Sequence, residues 1–103
     1  MLTILQLVKL YSFGVDLRIY DRKHPRGWKG EWDPSNLEAS VYLLHNDSPE
    51  DAHITSIHEL IHARNDFLFD IPIEEEAIES EALQTYQRAR YVVEFMKWLY
   101  EIK

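Results

Sequence analysis

The pentapeptide His58-Glu59-Leu60-Ile61-His62 combines two imidazoles and a carboxylate at a spacing suited to metal chemistry. On an α-helix, residues four apart lie about 40° apart around the axis and about 6 Å along it, so both imidazoles can reach one metal ion from the same side. Glu59 is turned by about 100° from His58, which leaves its carboxylate free to act as a general base on a water molecule. The pattern therefore predicts that His58 and His62 bind Zn²⁺ and that Glu59 is the catalytic base of a hydrolase.

A zinc hydrolase needs a third protein ligand and one open coordination position, and a glutamate-rich segment follows the motif. If the motif helix continues for one or two turns and the next helix begins at Pro72, that helix returns to the level of the metal near residues 76–80. Glu79 is therefore the predicted third ligand. Glu75 lies one turn earlier and faces the same way, so it is either the ligand itself or a group that orients a histidine. The other glutamates of this segment are expected to form a solvated face: Glu74, Glu76 and Glu81.

The residues before the motif predict one helix and then two or three strands. Apolar groups near helical spacing indicate a helix over residues 1–13, ended by Gly14. Alternating apolar residues predict strands over residues 15–20 and 39–45, with a short irregular strand over residues 28–32 between them. Together with two helices after the strands, this order indicates an α+β domain.

The motif is predicted to lie on a helix that starts at Pro49, because Ser48 is a favoured N-cap and proline suits the first helical position. A longer helix is predicted from Pro72 to about residue 100. Each helix carries an apolar stripe that is expected to face the core, and the two histidines flank the first stripe. The stripes consist of Ile54, Ile57, Ile61 and Leu68 on the first helix, and of Ala82, Tyr86, Ala89, Val93 and Met96 on the second.

The sequence indicates three further features that are candidates to lie near this site. The strand over residues 39–45 is expected to be an exposed edge, which either serves only as the edge of a small sheet or accepts an extended peptide through main-chain hydrogen bonds. Tyr86 follows Glu79 by about two turns on the same face, so it is either an oxyanion donor or a core residue. Trp28 and Trp32 are expected to pack in the core at a turn rather than to line a cleft.

Composition limits the alternatives. The chain has 103 residues, no cysteine and 46% apolar residues, which predicts a single domain over residues 1–103. Without thiols, cysteine-ligated zinc fingers, iron–sulfur clusters and cysteine nucleophiles are excluded. The net charge of −7 argues against a nucleic-acid-binding surface. No apolar stretch approaches the length of about 20 residues that a membrane span needs, and no signal-peptide pattern is present, so we expect a cytoplasmic location.

The pairing of the motif with a downstream glutamate resembles the gluzincin metallopeptidases. The stretch Glu79-Ser80-Glu81-Ala82 is similar to the glutamate motif of the CAAX-protease and heat-shock membrane-protease families, in which the first glutamate binds zinc and the alanine permits close helix packing. An acidic residue usually follows that alanine, whereas Leu83 stands here. Glu75, in contrast, has an acidic residue four positions later. The resemblance therefore implies Glu79 as the ligand and keeps Glu75 as the alternative.

In length and order of elements the chain resembles the minigluzincins, small soluble peptidase domains similar to the catalytic cores of those membrane enzymes. This resemblance implies a small zincin-like fold with an N-terminal helix, a two- to three-stranded sheet, the HExxH helix and a long glutamate-bearing C-terminal helix. It also implies peptide or protein substrates and a latent zymogen, in which the C-terminal segment around residues 96–100 blocks the cleft or a partner's cleft. Plain helix packing is the alternative role of that segment.

Two other interpretations were weighed against a peptidase of this kind. The motif is also similar to that of the SprT-type zinc proteases, but those use a third histidine downstream and no histidine follows His62. The second alternative is a non-catalytic interaction or dimerisation module, with or without structural zinc. It rests on aromatic residues off the apolar stripe of the last helix, a pattern typical of a homodimer or partner interface: Tyr91, Phe95, Trp98 and Tyr100.

Overall fold

The computed structural model describes residues 1–69 and 74–88 and has the α+β architecture that the sequence predicts. The predicted continuation of the last helix to about residue 100 lies outside these residues. Within them, no helix combines the length and the apolar character that crossing a membrane would require. The elements follow in the order α1 (Ile4–Ser12), β1 (Asp16–Tyr20), β2 (Gly30–Asp33), β3 (Glu38–Tyr42), a 3₁₀ turn (Leu43–His45), α2 (Pro49–Arg64), a π-helical segment (Asn65–Phe69) and α3 (Glu75–Arg88).

Helix α1 is fixed at both ends by local signals. The hydroxyl of Thr3 accepts a hydrogen bond from the backbone N–H of Gln6, and the side chain of Gln6 accepts one from the backbone N–H of Thr3. Beyond the helix, Gly14 has a φ of +91°, a left-handed conformation in which a side chain would be strained. The chain turns there and enters β1 within two residues, close to the predicted strand start.

Strand β3 is the centre of the sheet, whose order is β1-β3-β2. It pairs in parallel with β1 and antiparallel with β2. The prediction that residues 39–45 form an exposed edge is therefore wrong: residues 39–42 are buried and residues 43–45 leave the strand as the 3₁₀ turn. A near-continuous apolar run is typical of a strand that is covered on both sides, which is the position of β3. Among the described strands, the one that forms the sheet edge beside the motif helix is β2.

Helix α2 begins as predicted, at Pro49, with the hydroxyl of Ser48 accepting a hydrogen bond from the backbone N–H of Asp51 at 3.1 Å. Ile57 and Ile61 are fully buried, as the apolar stripe predicts. The helix packs across β2 and β3, and α3 packs against it in turn. The core formed between these elements contains Leu2, Leu7, Leu10, Val15, Leu17, Ala39, Val41, Ala52, Ile57, Leu60, Ile61, Ala63, Ile78 and Ala82.

Candidate metal centre

Three side chains from α2 and α3 converge on one point. The Nε2 atoms of His58 and His62 are 3.2 Å apart. One carboxylate oxygen of Glu75 lies 3.0 Å from His58 Nε2, and the other lies 2.9 Å from His62 Nε2. The ligand atoms of His58, Glu59 and His62 also lie within 4.8 Å of one another. This group of side chains could hold a metal ion.

The two imidazoles are enclosed, whereas the carboxylate is open to solvent. The side chains of His58 and His62 are 16% and 11% exposed, against 64% for Glu75. Burial lowers the pKa of His62, and the adjacent His58 acts in the same direction, although the negative charges of Glu75 and Asp66 oppose them. A lowered pKa favours the neutral imidazole, which is the form that binds a metal ion.

Glu59 lies beside these groups and is itself buried. Burial raises the pKa of Glu59 to about 8, and the negative charges of Glu75 and Glu31 add to the effect. A carboxyl group with a pKa near neutrality in a cleft is suited to taking up and releasing a proton. A divalent cation nearby would favour its ionised form.

Gly30 allows β2 to come close enough to α2 to bury Glu59. A Cβ atom at this position would lie 3.0 Å from Glu59 Cγ, 2.7 Å from Thr55 Cγ2 and 2.8 Å from the carbonyl oxygen of Ser40. These distances are shorter than van der Waals contact, so a side chain would push the strand away from the helix. The absence of a side chain at Gly30 thus lets the edge strand cover the candidate base.

An open cleft of about 950 Å³ lies over these groups. One wall is the edge strand β2 with the loop before it, and the opposite wall is the start of α3. The expectation that Trp28 and Trp32 pack in the core rather than line a cleft is wrong for Trp28, which lines this cleft and is 44% exposed. Trp32 lines the cleft and also packs against the core. The described residues that line it are Trp28, Lys29, Gly30, Glu31, Trp32, Asp51, Ile54, Thr55, His58, Glu59, His62, Glu75, Glu79 and Leu83.

A buried histidine explains why Trp28 lies at the rim. His24 Nδ1 accepts a hydrogen bond from the backbone N–H of Arg26 at 2.9 Å, so the ring proton is on Nε2, which is 2.9 Å from Glu31 Oε1. The indole of Trp28 stacks on this imidazole with 5.0 Å between ring centroids. His24 occupies the interior of the loop, and Trp28 covers it from the cleft side.

Trp32 anchors the free edge strand to the end of α2. Its indole N–H donates to Asp66 Oδ2 at 2.6 Å, and the ring of Phe67 packs against it edge-on at 5.9 Å. Both partners belong to the π-helical segment that follows α2. The wider turn of that segment changes the direction of its side chains relative to a continued α-helix.

The predicted third ligand and its alternative both lie at this cleft, but in different relations to the imidazoles. Glu75, the alternative, contacts both rings. Glu79 lines the same cleft one turn further along α3, where its charge acts on Lys29. Tyr86 is half-buried against the core with its ring 6.4 Å from that of His53, and it is not among the described residues that line the cleft. Its role as an oxyanion donor stays a sequence prediction without support from this packing.

The expectation that Glu81 lies on a solvated face is wrong. Its carboxylate forms a two-point ion pair with the buried guanidinium of Arg64, one contact of which is Nη2 to Oε1 at 2.8 Å. The hydrogen bond from Arg64 lowers the pKa of Glu81, against the effect of burial. Arg64 follows Ile57 and Ile61 at helical spacing, and a charge on an apolar stripe is the sequence signal that a buried partner of opposite charge must exist.

Several predictions fall on residues that the structure does not describe. They are the blocking role of residues 96–100 and the aromatic interface of Tyr91, Phe95, Trp98 and Tyr100, and with them the homodimer and the latent state. Comparisons of the chain with protein families, curated proteins and solved structures find no match. The resemblance to the minigluzincins therefore stays a prediction from the motif residues.

Proposed function

We propose that the protein is a zinc-dependent peptidase in which His58, His62 and Glu75 bind the ion and Glu59 is the general base. The observation that carries this proposal is the convergence of two imidazole nitrogens and one carboxylate on a single point of an open cleft, next to a buried carboxyl group. At this site two imidazoles share one carboxylate, whereas His24 in the loop pairs singly with Glu31.

The donor set fits zinc better than a hard cation. Two imidazoles and one carboxylate are the ligands of a catalytic zinc site that keeps a position open for water or substrate, whereas calcium and magnesium prefer oxygen ligands alone. Ligand atoms about 2.0–2.1 Å from a tetrahedral ion lie roughly 3.3 Å from one another. The two imidazole nitrogens are 3.2 Å apart, which is close to that value. The two oxygens of Glu75 each contact a different imidazole nitrogen, at 3.0 Å for His58 and 2.9 Å for His62, so the carboxylate must shift for one oxygen to face both nitrogens.

Glu75 is our choice of third ligand in place of Glu79, which the sequence favoured. The carboxylate of Glu75 already spans both imidazoles, and its exposed side leaves room for a further ligand. The spacing between the motif and the second helix matches either glutamate to within one turn, so helical geometry alone does not separate them. Glu79 then contributes negative charge to the cleft, not a bond to the ion.

Bound zinc supplies the Lewis acid that lowers the pKa of a water molecule and polarises a carbonyl oxygen. The chain supplies the proton transfers. Glu59 would accept a proton from the attacking water and give it to the leaving amine, a role for which its buried position beside the two imidazoles is suited. The edge strand packs against this carboxyl group at Gly30 and so limits the access of water to it from the sheet side.

The free edge of β2 is the surface on which we propose that an extended peptide binds. Residues 29–32 line the cleft, and the other edge of β2 is paired with β3. A peptide added to this edge by main-chain hydrogen bonds would lie across the metal centre. Peptide or protein substrates and a cytoplasmic location remain parts of the proposal that come from the sequence.

The proposal is tested by preparing metal-free protein and titrating it with Zn²⁺ in the wild type and in Glu59→Gln. We expect one equivalent of zinc to bind to both proteins. Hydrolysis of a quenched-fluorescent peptide library should appear only in the zinc-loaded wild type. In Glu59→Gln the rate should fall by at least about 100-fold, within the range that a positioned general base contributes.

The matched control is Glu38→Gln, which removes a carboxylate on the sheet that is paired with Arg18 and lies outside the cleft. It should retain both the zinc and the hydrolysis. Wild-type protein that binds no zinc would refute the metal centre. Zinc binding with equal hydrolysis in the wild type and Glu59→Gln would refute the assignment of the base.

A further inference from the structure

The ion pair between Arg64 and Glu81 joins α2 to α3 on the side of α3 away from the metal centre. At about 100° per residue, Glu75 and Glu81 lie about 120° apart around the axis of α3. The buried residues of this helix, Ile78, Ala82 and Thr85, lie between them. The buried stripe is therefore flanked by Glu75, which contacts the imidazoles, and by Glu81, which contacts Arg64 and also the terminal amino group of Met1 at 3.1 Å.

The buried stripe of α3 has little apolar surface with which to fix the rotation of the helix. Its one directional contact among the hydrogen bonds described is made by Thr85, whose hydroxyl accepts a hydrogen bond from the backbone N–H of Leu2 at 3.1 Å. In the described part of α3, Ile78 is the single large apolar side chain that is buried, and the other two buried residues are small. Apolar burial has no preferred direction, so a helix with few large buried groups can turn or slide at low cost. A two-point contact between a guanidinium and a carboxylate, in contrast, fixes both a distance and an orientation.

Arg64 is itself held in place on α2. Its Nε and Nη2 atoms donate to Asn65 Oδ1 at 3.2 and 2.9 Å. The ring of Phe69 lies 5.0 Å from the guanidinium carbon, and the residue is 4% exposed. The guanidinium is thus a fixed point two residues beyond His62, from which the position of α3 can be set.

We infer that Arg64 and Glu81 are positioning residues, whose ion pair sets the rotation of α3 that brings the Glu75 carboxylate onto His58 and His62. This inference rests on the proposed metal centre. It adds that the position of Glu75 in that centre is fixed by a contact on the other flank of the buried stripe of α3. Such a control is needed because Glu75 is the first residue of α3 and is exposed. Buried ion pairs contribute little net stability but can select one arrangement over others.

The test measures the affinity of the metal-free protein for Zn²⁺, by competition with a chromophoric chelator, together with its melting temperature. In Glu81→Gln we expect a 10- to 100-fold loss of affinity, the range seen when a group that supports a metal ligand is removed. The decisive variant is the double substitution Arg64→Met with Glu81→Leu. Replacing a buried ion pair by apolar residues of similar volume usually retains stability, so this variant should melt close to the wild-type temperature and still lose at least 10-fold in affinity.

Three comparisons make the result decisive. Glu38→Gln, which removes the partner of the surface residue Arg18, should bind zinc within twofold of the wild type. Wild-type affinity in the double variant would overturn the inference, because the ion pair would then only stabilise the fold. If the double variant fails to fold, Arg64→Lys takes its place, because it retains the charge but gives up the two-point contact. We expect it to lose at least 10-fold in affinity for zinc. Wild-type affinity in this variant would overturn the inference.

The failure of this inference is distinguishable from the failure of the metal centre. Wild-type protein that binds no zinc would refute the centre and this inference together. An affinity that Glu75→Ala leaves unchanged would refute Glu75 as a ligand, and with it this inference. Zinc binding that depends on Glu75 but not on Arg64 or Glu81 would refute the inference alone.

Discussion

Helices α2 and α3 contribute to the same centre in opposite ways. In α2 the two imidazoles and the base lie within five consecutive residues, and the helix geometry alone puts them side by side. In α3 the carboxylate comes from the first residue of a helix whose described part buries one large apolar side chain and two small ones. The α2 groups are enclosed by the core and the edge strand, whereas Glu75 is exposed. Three of the four groups are therefore encoded locally, and the fourth depends on the docking of two helices.

The largest expected effect on zinc affinity comes from removing a ligand on α2 or on α3. His62→Ala should lower zinc affinity by more than about 100-fold, beyond the range observed for groups that only support a ligand. Glu75→Ala should also lower it strongly, although a water molecule can replace an exposed carboxylate more easily than an enclosed imidazole. Titration of metal-free protein with Zn²⁺ checks both values.

Glu79→Ala is the matched control for Glu75→Ala, because it removes the same charge from the same helix one turn away. It should change the affinity by only a few-fold, through the weaker attraction of the cleft for a cation. The reverse order, with a larger loss in Glu79→Ala, would assign the third ligand as the sequence first predicted. It would also mean that α3 docks differently when zinc is bound.

The locally encoded features of the molecule could be predicted from the sequence. The N-cap at Ser48, the start of α2 at Pro49 and the pairing of His58 with His62 follow from rules that involve only neighbouring residues. The burial of Ile57 and Ile61 follows from the helical period in the same way. Such features need no knowledge of what packs against them.

The features that the sequence did not predict depend on how elements pack. Residues 39–45 were expected at a sheet edge, and only the strand order shows that β3 is central. The sequence predicts that Glu81 is exposed to solvent together with Glu74 and Glu76, yet the rotation of α3 turns it towards Arg64. The choice between Glu75 and Glu79 is of the same kind, since one turn of a helix is comparable to the uncertainty with which a sequence predicts where the helix begins.

On the α2 side, the buried base should make the metal-free protein sensitive to alkaline pH. The pKa of Glu59 is raised to about 8 in the folded state, above its unfolded value of about 4.3, so the folded state binds more protons in this range. The stability that the protonated carboxyl group contributes is then lost as the pH rises through the folded pKa of about 8. Glu59→Gln carries no charge, so it should be more stable than the wild type by a few kcal/mol at about pH 9.

Denaturant unfolding of metal-free protein between about pH 5 and pH 9 measures this difference. The stability curves of the two proteins should separate as the pH rises. Curves that stay parallel would show that Glu59 is ionised without cost, and therefore that the edge strand does not exclude water from it.

Gly30→Ala should destabilise the protein by about 1–3 kcal/mol, the usual cost of an added methyl group in a closely packed contact. The new Cβ would meet Thr55, Glu59 and the backbone of Ser40. Thermal unfolding checks the value. The combination with Thr55→Ser removes one of the three contacts and should recover part of the loss. If the methyl group is tolerated without loss, β2 is not pressed against α2, and the enclosure of the base must have another origin.

On the α3 side, the smallest effect should appear in acid. Arg64 holds the pKa of Glu81 below its usual range, so the ion pair contributes stability above the unfolded pKa of about 4.3 and loses it as the pH falls through the lower, folded pKa. We expect the wild type to lose about 1 kcal/mol more than the Arg64→Met, Glu81→Leu variant between about pH 5 and pH 3. Urea unfolding at the two pH values measures the difference. An equal loss in both proteins would mean that the ion pair adds no stability of its own. If the double variant also bound zinc more weakly, that result would distinguish the roles of the two helices most clearly. The α2 part of the site would then form without the ion pair, and α3 would need the pair only to position Glu75.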